Sequence, residues 1–131
     1  MVREARLKFT RELAGTLSIR SVDEYGIRIN EELWTETIAL TPQKMLPAWS
    51  QKTVQELLVD DFSAILLEKP ELVIVGTGRR NEFPPRDLVF GFARMGVGLE
   101  VMETSAAART FNILAGEGRQ VAAVLIFEKE S

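Results

Sequence analysis

Residues 72–127 read LVIVGTGRRNEFPPRDLVFGFARMGVGLEVMETSAAARTFNILAGEGRQVAAVLIF, and this stretch decides the fold. Its apolar runs LVIV, GLEV and VAAVLIF are short and bounded by glycine or charge. The two segments between them carry helical spacing, which predicts strand, helix, strand, helix, strand. A first strand over Leu72 to Val75 that is apolar on both faces belongs in the middle of a covered sheet. Pro84 and Pro85 suit the entry to a helix whose inner side is Leu88, Phe92 and Met95, ended by Gly96 and Gly98. A crossover helix of that length sets the strand Leu99 to Met102 parallel to the first. Thr104 or Ser105 is placed to cap the next helix, with Ala107, Phe111 and Leu114 inward, before a last strand from Gln120 to Phe127.

Upstream, Leu17 and Ile19 alternate with polar residues, DEYG marks a turn, and Ile27 and Ile29 alternate again, which is a hairpin pattern. Trp34, Ile38 and Leu40 share one parity and predict a third strand, so three antiparallel strands precede the β/α part. Residues 41–52 hold two prolines and no period, and read as a connecting loop in which Trp49 is an apolar plug with its indole N–H bonded nearby. Thr53 and Glu56 form a capping box, and the apolar spacing from Val54 predicts one helix to Glu68, stopped by Pro70. Residues 1–15 are charged with weak periodicity and receive no element. One domain accounts for all 131 residues.

The formal charge of -3 and the pI near 5.1 argue against a phosphate-backbone partner. Cysteine and histidine are both absent, which removes disulfides, thiol nucleophiles and the usual zinc ligands. A general base would have to be a carboxylate or lysine shifted by burial. Without an apolar run long enough for a membrane span or a signal core, the expectation is a soluble, cytoplasmic chain without metal or cofactor.

Two readings compete at Gly76-Thr77-Gly78. A dinucleotide turn is opposed by Asn81 in place of the third glycine and by a helix that starts only after Pro85. The other places a small anion in the crevice outside the carboxyl ends of the parallel strands. There Gly76, Thr77, Gly78, Arg79 and Arg80 would meet Glu103, Thr104 and the N–H groups of a helix N-terminus. Against that stands the structural role: Thr104 capping its helix, with both arginines solvated or paired. Arg109 and Asn112 share a helix face, and pairing of Arg109 with Glu100 or Glu117 would fix a helix end.

The blocks GTG, GLEVMET, AAARTFNIL and EGRQVAAVL resemble those of a small bacterial and archaeal family of unknown function. That family includes the mitochondrial respiratory complex I assembly factor 3 and an adipogenesis-associated domain protein. The motif positions are Gly76, Thr77, Gly78, Glu100, Met102, Thr104, Arg109, Thr110, Asn112, Glu117 and Arg119. Ala108 and Phe111 stand where relatives often carry cysteine and tyrosine, so no role needing a thiol or phenol there applies. The resemblance implies a three-layer α/β fold around a mixed sheet, without catalytic residues to carry over. It also implies a non-catalytic interaction or assembly domain with protein partners, mitochondrial if the source is eukaryotic. The alternative is a small-molecule domain or enzyme using the strand-end crevice, which a pocket joining Arg79, Glu103 and Thr104 would favour.

Overall fold

The computed structural model describes residues 16–47 and 49–129; the unassigned stretch 1–15 lies outside them. Strands β1 (Ile19–Asp23), β2 (Gly26–Ile29) and β3 (Glu32–Trp34) form an antiparallel sheet in that order. The β1–β2 turn is built as DEYG requires: the Asp23 carboxylate accepts the Tyr25 N–H at 2.9 Å, and Gly26 has φ 148°. A Cβ on Gly26 would stand 2.5 Å from the Trp34 carbonyl oxygen, so the position excludes a side chain twice over.

The expected third strand is two strands. After β3 the chain leaves the first sheet, and β4 (Ile38–Leu40) joins the second, pairing antiparallel with the last strand of the protein. The transfer is fixed at buried Thr37, whose N–H donates to Gln51 Oε1, whose carbonyl accepts from Gln51 Nε2, and whose hydroxyl oxygen accepts the Phe127 N–H. Side chains thus replace ladder bonds where the strand breaks. The shared parity survives the break, because Trp34, Ile38 and Leu40 all face the same core.

The expected helix from Val54 to Glu68 is also broken. A 3₁₀ turn (Val54–Glu56), a second 3₁₀ turn (Val59–Phe62) and a short helix α1 (Ser63–Leu67) are separated at Leu57 and Leu58, whose ψ values of 135° and 158° are extended. The Glu56 half of the capping box forms, its carboxylate accepting the Thr53 N–H at 3.0 Å. The break follows from Asp61, whose carboxylate accepts the Leu58 N–H at 2.8 Å and pairs with Lys52 at 3.0 Å, starting a new turn instead of continuing the old one.

The β/α part is as the sequence predicts. Strand β5 (Leu72–Gly76), helix α2 (Arg86–Met95), strand β6 (Gly98–Met102), helix α3 (Thr104–Gly116) and strand β7 (Val121–Leu125) complete a four-stranded sheet ordered β4-β7-β5-β6. Both β6 and β7 run parallel to β5. Gly96, left-handed at φ 73°, ends α2 and donates to the Phe92 and Ala93 carbonyls.

Three layers result. On one face of the mixed sheet, Val73, Val75, Ala122 and Val124 pack against Leu88 and Phe92 of α2, Phe62, Ile65 and Leu57. On the other, Ile74, Ala123 and Leu125 meet Ala107, Ala108 and Phe111 of α3 together with Ile19, Ile27 and Ile29 of the small sheet. Strands β5 and β7 are covered on both sides, which is why their sequences are unbroken apolar runs. Trp49 is the plug expected, edge-on to Phe62 at 5.1 Å. Its buried indole nitrogen, however, has no hydrogen-bond partner among the described residues, contrary to expectation.

Candidate functional site

The carboxyl ends of β5 and β6 converge on Thr104, and the convergence is a seam. The Thr104 hydroxyl donates to the Ile126 carbonyl at 2.7 Å and accepts the Gly78 N–H at 2.8 Å, with the side chain buried. Thr104 is the first residue of α3, and its hydroxyl ties three chain segments together instead of capping the helix, as the sequence suggested. Gly76 answers to the same packing: a Cβ there would stand 2.8 Å from the Thr104 Cα. Thr77 is equally committed, its N–H donating to the Met102 carbonyl and its hydroxyl to the Arg80 carbonyl at 2.6 Å while accepting the Glu82 N–H. The G-T-G sequence therefore supplies close approach and loop closure.

A cavity of about 380 Å³ lies beside this seam, its lining including Gly78, Arg79, Thr104 and Ser105, Asp23 and Glu24, and Glu128, whose carboxylate lies against Gly78. Of the expected crevice residues the structure brings Gly78, Arg79 and Thr104 to one cavity. Gly76, Thr77, Arg80 and Glu103 are not on its walls. The carboxylates of Asp23, Glu24 and Glu128 were not foreseen, because the β1–β2 turn and the segment after β7 reach this place only through the fold. They give the cavity both signs of charge.

The polar residues of α3 divide in two. Asn112 is a clamp: its side-chain carbonyl accepts the Ile19 N–H at 3.0 Å and its amide donates to the Ile19 carbonyl at 2.8 Å, docking β1 onto the helix. Thr110 turns its hydroxyl to the Met102 sulfur at 3.4 Å. Arg109, Glu100 and Glu117 are exposed, and among the described residues none of the three forms a hydrogen bond or ion pair through its side chain, so the expected Arg109 pairing is not made. Arg119 pairs instead with Glu71, Nη2 to Oε1 at 3.0 Å, while the Gln120 N–H donates to the second carboxylate oxygen at 3.2 Å. The Arg119 hydrogen bond, with that N–H second, holds the Glu71 carboxyl below its ordinary value of 4.5.

The outer side of α2 differs from both places. Leu88, Gly91 and Phe92 are buried, whereas Val89 and Phe90 point outward at 42% and 53% exposure, and Phe83, just ahead of the helix, is 90% exposed. Met95, read from the sequence as inward, is 43% exposed at the helix end. The signal was present in the sequence, since Val89 and Phe90 are out of phase with the Leu88–Phe92 stripe.

Comparison with known proteins sets this architecture among relatives. The chain is 35% identical over 118 residues to human NADH dehydrogenase [ubiquinone] 1 alpha subcomplex assembly factor 3, covering 88% of this chain and 64% of that protein. It thus spans a little under two thirds of the length of that relative. A crystal structure of a Bordetella parapertussis protein superposes with a TM-score of 0.79 at 33% identity, covering 86% of this chain and 96% of the other. An outer membrane protein from Bartonella henselae follows with a TM-score of 0.74 at 28% identity, covering 87% and 98%. Among the described residues of this chain no helix is long and apolar enough to cross a membrane. The model of DUF498/DUF598, a protein family of unknown function, matches residues 19–126, from the first residue of β1 to the residue after β7, and the chain belongs to that family.

Proposed function

We propose that this chain is a non-catalytic interaction domain that serves the assembly of a respiratory NADH dehydrogenase complex through protein partners. The observation that carries the reading is the likeness to the human assembly factor over 118 residues, a length that takes in the folded core rather than one motif. The fate of the motif residues supports it: Gly76, Thr77, Gly78, Thr104 and Asn112 spend their chemistry on holding segments together. The expected location, cytoplasmic in a prokaryote and mitochondrial in a eukaryote, belongs to the same proposal. Deleting the gene in its own cell and resolving membrane complexes on native gels tests it. Loss of the assembled dehydrogenase, restored by the wild-type chain, is the expected result; an undiminished complex overturns it.

The 380 Å³ cavity favours a second reading, a small ligand held beside Arg79 and the N-terminus of α3. Asp23, Glu24 and Glu128 in the same lining set it against a simple anion and for a molecule bearing both charges. Thermal melting with sulfate against glycine-type zwitterions checks this. Saturable stabilisation by a zwitterion, absent from an Arg79→Ala variant, supports the ligand reading, and equal shifts in both proteins remove it.

A further inference from the structure

We infer that the outer face of α2, with the turn before it, is the docking surface, and that its partner is a protein segment carrying acidic residues around apolar anchors. The inference rests on the interaction-domain reading and names the surface that reading needs. Three large apolar side chains, Phe83, Val89 and Phe90, stand between 42% and 90% exposed on the outer side of this short helix and its lead-in; Met95, 43% exposed, is in phase with Leu88 and Phe92 at the helix end and lies off this face. At ten residues the helix is roughly 15 Å long, so these side chains fit within the patch of one partner in a standard interface.

Charge says what covers them. Arg86 and Arg94 are exposed on the same helix, and among the described residues neither has an ion pair or side-chain hydrogen bond. Asp87 is exposed on the same side, so this face carries two guanidinium groups against one carboxylate, a cationic excess in a chain whose formal charge is -3. Such a face, with cations in excess, attracts an acidic partner more strongly than a second copy of itself. The cations are arginines alone: no lysine occurs between Lys69 and Lys129. Arginine and phenylalanine together, without lysine, is the composition of a protein interface, and the guanidinium fork matches a carboxylate in two-point contact. An anionic bilayer would be met as well by lysine, which favours the protein partner.

The test places the photo-crosslinking residue benzoylphenylalanine at Phe83 or Phe90 in the full chain, expressed in its own cell, with Tyr25 and Ile113 as equally exposed controls on other elements. Expected is one protein product from positions 83 and 90, absent at 25 and 113, whose crosslinked peptide is rich in Asp and Glu. An R86E/R94E variant should lower its yield at least about tenfold while its thermal melt stays unchanged. A crosslinked peptide without acidic residues, a product with the chain itself, or an R86E/R94E yield equal to wild type overturns the proposal. So does R86E/R94E-sensitive sedimentation with equimolar phosphatidylglycerol and phosphatidylcholine vesicles, which would assign the face to lipid. Crosslinking of dehydrogenase subunits from position 25 or 113 alone would sink this surface and keep the interaction role. Absence of protein products from all four positions, with a normal dehydrogenase in the deletion strain, would sink both.

Discussion

The seam at Thr104 and the outer face of α2 lie at opposite ends of a scale of satisfaction. At the seam every motif residue has its hydrogen bonds made internally, with both Gly78 and Ile126 bound to one hydroxyl. On α2, two phenylalanines stand in solvent and two arginines lack partners among the described residues, though no motif singles the helix out. The difference teaches that Gly76, Thr77, Gly78 and Thr104 mark where segments must meet, whereas Glu100, Arg109 and Glu117 stay exposed, and that an unsatisfied surface is where a partner can still add free energy.

Mutations separate the two. Phe111, fully buried between α3 and the sheet, sets the scale: Phe111→Ala should cost about 3–5 kcal/mol in chemical denaturation. Thr104→Val keeps the shape and strands the Gly78 N–H and the Ile126 carbonyl, for a loss of about 2–4 kcal/mol. Asn112→Ala removes the clamp on Ile19, at about 1–3 kcal/mol, and hydrogen exchange should show β1 opening before β5. A Thr104→Val cost below about 0.5 kcal/mol would mean that the seam is not a stability element.

The smallest effect expected is electrostatic. The folded-state Glu71 carboxyl is lowered, so its contribution is present above the unfolded value near 4.5 and fades as pH falls through the lower folded one. Arg119→Met should lower stability slightly at neutral pH and less in acid, so that the acid-side loss flattens, the effect being small because the pair is exposed. An equal change at pH 7 and pH 3 would show that Arg119 acts by packing instead.

What the sequence showed follows the strength of its periodicities. Strands β5, β6 and β7 and helices α2 and α3 were legible because their apolar runs and glycine stops agree with one another. The segment 54–68 was not. Of the stripe Val54, Leu57, Leu58, Ile65 and Leu66 that helical spacing foretold, Val54, Leu57 and Ile65 are buried but Leu58 is 57% exposed, because two extended leucines interrupt the run where the Asp61 side chain captures a backbone N–H. The break between β3 and β4 was hidden for a related reason: the parity of Trp34, Ile38 and Leu40 reports which core they face, and two sheets share that core. At the crevice the convergence of Gly78, Arg79 and Thr104 was readable from strand order, whereas the carboxylates that share its lining come from chain segments far away in sequence.

The central claim is that the α2 face carries function without carrying stability. It is tested most directly by supplying a Phe83→Ser, Phe90→Ser double variant to cells lacking the gene and measuring assembled NADH dehydrogenase on native gels. Tm is measured on the purified variant, with the wild-type chain as the positive control. The account predicts a Tm within about 3 °C of wild type, as exposed side chains require, together with assembly no better than in the deletion. Assembly restored to the wild-type level by a variant that lacks both exposed rings would contradict it.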